Sequence, residues 1–152
     1  MHWEKIKNYE DTKSGGVGVV ILDSAGAFIA GRAWKFDNVF SALQSEALAA
    51  REGVVLAVER GLTNICFESD SFQIVTAFGS SSLDRSFIGP ILEDSKFLLL
   101  QITGEGFAHV RRTANEAAHC TARFALHHGT PISWFEEPPD FLIDVLFEDC
   151  NK

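Results

Sequence analysis

The sequence predicts a single mixed α/β domain, on three observations. Residues 15–23 (GGVGVVILD) and 27–36 (AFIAGRAWKF) have strand composition, and the turn SAG between them makes an antiparallel hairpin. From Ser41 to Arg60 the apolar spacing changes to three and four, which is the period of a helix. Beyond it, strand-like and helix-like segments alternate, the order that packs helices on a sheet.

Ahead of the hairpin, HWEKIKN reads as a partial first strand. The helix that follows the hairpin opens on a capping box, Ser41 with Gln44, and stops at Gly61. Its buried stripe is Leu43, Ala47, Ala50, Val54 and Val58. Glu46 falls on the border of that stripe, near Ala50, Gly53 and Ala57. It is either a solvated edge residue or a carboxylate held against the sheet. Asn64 to Phe67 forms a short strand and Asp70 to Gly79 a short helix. The apolar run NICF therefore ends in Glu68 and Asp70. Asp70 is either the cap of the next helix, with Gln73 three residues on, or a group placed at a strand end for chemistry. A helix follows over Phe87 to Ile102, entered through Gly89 and Pro90. Glu105 to Arg111 alternates like a strand, with Phe107, His109 and Arg111 on one face. Thr113 and Glu116 suggest a second capping box, for a helix running to about His128. The tail, residues 131–152, carries Pro138 and Pro139 ahead of a short amphipathic segment. The expectation is one domain over residues 1–152, its core at about 15–130.

Charge and composition exclude several classes. The chain has 152 residues and a formal charge of -8, from 13 basic and 21 acidic residues, which argues against tight non-specific binding to polyanions. Cys66, Cys120 and Cys150 are odd in number and lack CxxC spacing, so neither a disulfide framework nor a zinc site is expected. No window of about 18 apolar residues and no signal-peptide core is visible. Those features predict an intracellular protein of the cytoplasm or nucleus, neither secreted nor membrane-bound. The glycines at 15 and 16 are not a phosphate loop, because no GxGxxG or GK[ST] is present.

Three polar features come from three different elements: Glu46 on the first helix, Asp70 at a strand end, and RRTANEAAH (111–119) at a strand-to-helix junction. Carboxylates brought together from a helix and a strand end suit a hard dication, which takes oxygen ligands and keeps water. The run SALQSEALAAREGVVLAVERGLTNICFESDS, followed by FAHVRRTANEAAHCTARFAL, resembles the ribonuclease H-like domain of plant reverse-transcriptase-like proteins of retroelement origin. The closing WFEEPPDFLIDVL is similar to the tail of the same group, so the resemblance runs from about Gly15 to Asp149.

That resemblance implies a mixed sheet, with strands one to three antiparallel and helices on both faces. It also implies hydrolysis of the RNA strand of RNA–DNA hybrids by four carboxylates and two ions of Mg²⁺ or Mn²⁺. Glu46 matches the helix glutamate of that set and Asp70 the strand-end aspartate, the two expected metal ligands. His119 stands where the family has its fourth carboxylate, and it offers nitrogen in place of charged oxygen. The first-strand aspartate has no match, and Glu4 is the nearest acidic residue. Arg111, Arg112 and Asn115 are the candidate nucleic-acid contacts, while the family's basic insertion has no counterpart in SSSLDRSFIGPILEDSK. Two functions stay open. One is a ribonuclease H-type endonuclease, weak or manganese-dependent. The other is a catalytically impaired relic serving as a nucleic-acid-binding or protein-interaction module.

Overall fold

A computed structural model describes residues 2–9, 14–81, 86–129 and 131–150; side chains at 2–9, 112, 114, 149 and 150 lie outside that description. The elements in order are β1 (His2–Tyr9), β2 (Ser14–Leu22), β3 (Phe28–Phe36), α1 (Ala42–Glu59), β4 (Ile65–Ser69), α2 (Phe72–Gly79), α3 (Gly89–Leu99), β5 (Glu105–His109), a 3₁₀ turn (Arg112–Asn115), α4 (Glu116–His127), β6 (Ile132–Phe135) and α5 (Asp140–Cys150). They build one sheet in the order β5-β4-β1-β2-β3-β6. β1, β2 and β3 are successively antiparallel, as expected, whereas β4 runs parallel to both β1 and β5.

Local chemistry explains the hairpin. The Asp23 carboxylate accepts from the backbone N–H groups of Ala25 and Ala27, both at 2.9 Å, and Gly26 takes a positive φ of 85°. An Asx turn closed by glycine is thus what joins β2 to β3. The first helix starts as predicted: Ser41 Oγ accepts from Gln44 N at 3.0 Å, and Gln44 Oε1 accepts from Phe40 N at 2.8 Å. It ends at Gly61, whose φ of 64° suits glycine.

The sheet is covered on both faces. Val17, Val19 and Ile21 of β2 join Phe67, Leu56, Ile74 and Leu92 in the larger core under α1, α2 and α3. On the opposite face Val20 meets Ala117, Leu142 and Leu146 of α4 and α5. There α4 lies directly on the strand. A Cβ added at Gly16 would run into the Ala122 carbonyl, and one at Gly18 into the Ala118 carbonyl and the Ala122 nitrogen. No helix among the described residues is long and apolar enough to cross a membrane.

Several details differ from the sequence reading, and β5 stops at His109 rather than Arg111. β4 continues to Ser69 and α2 begins only at Phe72, so Ser71, not Asp70, is the N-cap. Parallel pairing explains this, because Ser69 is in register with His109 of β5 and its carbonyl accepts from Val110 N at 2.9 Å. The third helix stops at Leu99, and single turns carry the chain to Ile102. The Thr113–Glu116 capping box does not form: Thr113 lies inside the 3₁₀ turn, and Asn115 is the N-cap of α4 without a side-chain cap bond. The tail adds an unforeseen strand, β6, which pairs antiparallel with β3.

Candidate active site

The parallel pairing of β1 with β4 sends both strands toward the same end of the sheet, and Asp70 sits immediately past β4 at that end. Its backbone carbonyl accepts from His109 Nε2 at 3.1 Å. Its carboxylate has no such role. Ser71 caps α2 with no side-chain bond of its own, and among the described residues no hydrogen bond or ion pair holds the Asp70 side chain. The capping explanation for this carboxylate is therefore removed. Half-buried and aimed at no structural partner, it stays available to an external ligand.

Glu46 reaches the same end from above. A Cβ on Gly15 would sit 2.7 Å from Ser45 Oγ, so the first turns of α1 lie over the start of β2. Tyr9 pairs with Ser14 there, which makes it the end where β1 finishes. Glu46, next to Ser45, is half-buried with its Oε2 shielded from solvent. Of the two readings open for this residue, a fully solvated edge is the one the structure disfavours.

The remaining candidates divide. Backbone register pairs His2 with Glu68 and Glu4 with Gly18, so two residues further along each parallel strand Glu4 comes level with Asp70. The Glu4 side chain lies outside the described residues. From the opposite face, the Ala118 carbonyl abuts Gly18, which brings the first turns of α4 to that same level. His119 belongs to that turn and is only 4% exposed. Asn115 is fully buried at the head of α4, a position that supports the turn and leaves no surface for nucleic acid. Arg111 is exposed just past β5, whereas the Arg112 side chain lies outside the described residues.

The donors at this end suit a hard cation in kind: two carboxylates with, across the sheet, an imidazole. Among the described residues, however, no three His, Cys, Asp or Glu side chains converge as a metal-binding group. A tightly caged ion does not fit this set. A largely hydrated one, held by one or two carboxylates as Mg²⁺ commonly is, does fit.

Two further features escaped the sequence reading. Glu52 is buried on α1, where Arg32 of β3 reaches its Oε2 at 3.6 Å and Glu59 Oε2 at 2.7 Å. Arg32 Nε also donates to Ser133 Oγ at 2.9 Å, so this network ties α1, β3 and β6 together. Burial pushes the Glu52 carboxyl above its ordinary value, with Arg32 pulling the other way. The second feature is aromatic: Phe72, at the start of α2, meets His109 edge-on beside Asp70. The pattern Asp-Ser-Phe with a lone His on the neighbouring strand was visible, but only parallel β4–β5 pairing brings them together.

Residues 7–125 match the profile of a family described as reverse transcriptase-like. Among solved structures, RNase H1 from the halophilic archaeon Halobacterium salinarum superposes with a TM-score of 0.73 at 20% identity, covering 82% of this chain and 94% of that one. The N-terminal RNase H domain of a Mycobacterium tuberculosis protein, solved as a fusion with maltose-binding protein, gives a TM-score of 0.73 at 16% identity, covering 83% and 91%. At such identities the likeness is one of fold, and the fold is that of ribonuclease H. No curated protein matches the chain in sequence.

Proposed function

Because the chain belongs to the reverse transcriptase-like family, we propose that it is a ribonuclease H-type domain that hydrolyses the RNA strand of RNA–DNA hybrids, slowly and better with Mn²⁺ than with Mg²⁺. One observation carries the reading. Asp70 stands at a parallel strand end with a carboxylate that neither caps α2 nor pairs with any described residue. A strand-end carboxylate with no structural bond is the kind of oxygen donor that a hydrated dication takes.

Glu46 and Asp70 would hold the dication, and the backbone of Glu4 lies level with Asp70 in the register of β1 and β4. Such an ion supplies a centre that activates water and stabilises the leaving oxygen of a phosphodiester. The protein's own part is to fix two carboxylates from a helix and a strand on one sheet end. His119 contributes a nitrogen, which Mn²⁺ accepts more readily than Mg²⁺ does. With a formal charge of -8, the chain grips its substrate through few cations, so binding is weak. Arg111, exposed just past β5, is the cation that would meet phosphate, with Arg112 next to it in the sequence.

The test is cleavage of a labelled RNA–DNA hybrid by the purified chain in each ion. Low Mn²⁺-dependent activity, lost in Asp70→Asn and raised in Mg²⁺ by His119→Asp, is the expected result. Silence from wild type and every variant, with the fold intact by circular dichroism, would defeat the enzyme reading.

A further inference from the structure

A line of aromatic rings leads from the core to the Asp70 corner. Phe107 of β5 stacks between Phe67 and Phe78, at 5.0 and 4.6 Å between ring centroids. Two residues further along β5, and so on the same face, comes His109. Its ring meets Phe72 edge-on at 5.7 Å with an interplanar angle of 89°. Its Nε2 donates to the Asp70 carbonyl at 3.1 Å, which fixes the imidazole against the backbone of the candidate site.

Phe72 has no place in the core. The inward positions of α2 are Ile74 and Phe78, while Phe72 in the first turn is 67% exposed. It is nonetheless oriented, because its ring makes a T-shaped contact with the anchored imidazole while most of its surface stays open to solvent. Its surroundings are polar: Gln73 and Thr76 are exposed and Ser71 and Asp70 half-buried. A lone oriented ring among polar groups is too small a patch for a protein or lipid surface. It is the size of one nucleobase.

We propose that Phe72, braced by His109, is a stacking platform for an unpaired base beside the Asp70 carboxylate. The chain would then prefer nucleic acid carrying a single-stranded nucleotide at the site over continuous hybrid duplex. This rests on the nucleic-acid reading above. Every base presents a π-face to an aromatic ring, but only an unpaired base can leave its stack to use it. Arg111, exposed two residues beyond His109, is placed to meet the adjoining phosphate.

The experiment is a low-salt anisotropy titration of three fluorescent probes: single-stranded RNA, a blunt RNA–DNA hybrid, and the same hybrid with a single-stranded RNA overhang. Wild type should bind the first and third more tightly than the blunt hybrid. Phe72→Ala should weaken those two by about 5- to 150-fold, the range for losing one base stack, and leave the blunt hybrid nearly unchanged. Phe72→Trp should restore them. Because Phe72 is exposed, the alanine variant should melt like wild type. If wild type binds but Phe72→Ala binds all three probes as wild type does, the platform is wrong and the nucleic-acid reading stands. An equal loss on all three probes also overturns the platform. If wild type binds none of the probes, both readings fall together.

Discussion

The two faces of the sheet hold their helices by different means. Under α1, α2 and α3 the contact is made by large side chains, with Phe67, Leu56, Ile74 and Leu92 fully buried. Under α4 it is made by backbone, since Gly16 and Gly18 let the Ala118 and Ala122 peptides approach the strand directly. Apart from His119, the buried residues of α4 are correspondingly small, Ala117, Ala118, Thr121, Ala122 and Ala125. The candidate site draws on both: Glu46 rides on the cushioned face, His119 on the uncushioned one, and Asp70 stands at the strand end between them. A side-chain core can relax around a lost atom, but two backbones in contact cannot yield to a gained one. Changes of equal size should therefore have unequal effects on the two faces.

The largest effect is expected from Phe67→Ala, which empties the middle of the larger core and the ring stack with Phe107. It should lower stability by about 3–5 kcal/mol in urea denaturation. Next comes the direct comparison. Gly18→Ala adds one methyl against the Ala118 carbonyl and should cost about 1–3 kcal/mol, while Ile74→Val removes one methylene from the cushioned face and should cost about 0.5–1.5 kcal/mol. Gly18→Ala should also change any His119-dependent metal preference, because α4 must shift, whereas Ile74→Val should not. Equal losses, or a larger one for Ile74→Val, would erase the distinction between the faces.

The smallest effect concerns pH. Burial raises the Glu52 carboxyl above its ordinary 4.5, against the pull of Arg32. The folded state then holds a proton that the unfolded state has already released, so stability falls as pH rises through the window above 4.5 and levels off beyond the raised value. Glu52→Gln should flatten that part of the profile of stability against pH. An unchanged slope would mean that Glu52 is not the group responsible.

Elements set by local chemistry were readable in the sequence. The Ser41–Gln44 box and the SAG turn, which the Asp23 carboxylate closes, both form through groups within four residues of one another. What was not readable depends on distant pairing. Asp70 and Ser71 are both competent caps, and the choice between them was made by β5, whose register extends β4 to Ser69. Thr113 and Glu116 satisfied the spacing of a capping box, but the chain leaves β5 through a 3₁₀ turn that moves the N-cap to Asn115. The strand Ile132–Phe135 is short and exists because β3 offers an edge about a hundred residues earlier in the chain. Glu52 lay off the apolar stripe, and no local pattern announces a carboxylate whose burial depends on Arg32 from another element. For the site, Glu46 and Asp70 were legible as a pair of acidic residues from two elements. The placement of Glu4 required the register, and the Phe72–His109 contact required parallel pairing.

If Asp70 is kept for chemistry and not for the fold, Asp70→Ala separates the two when melting and hybrid cleavage are measured on the same preparation. Removing a true helix cap costs about 0.5–2 kcal/mol, which would show as a lowered melting temperature. The expected result is an unchanged or raised melting temperature together with loss of Mn²⁺-dependent cleavage. A lowered melting temperature with cleavage intact would contradict it.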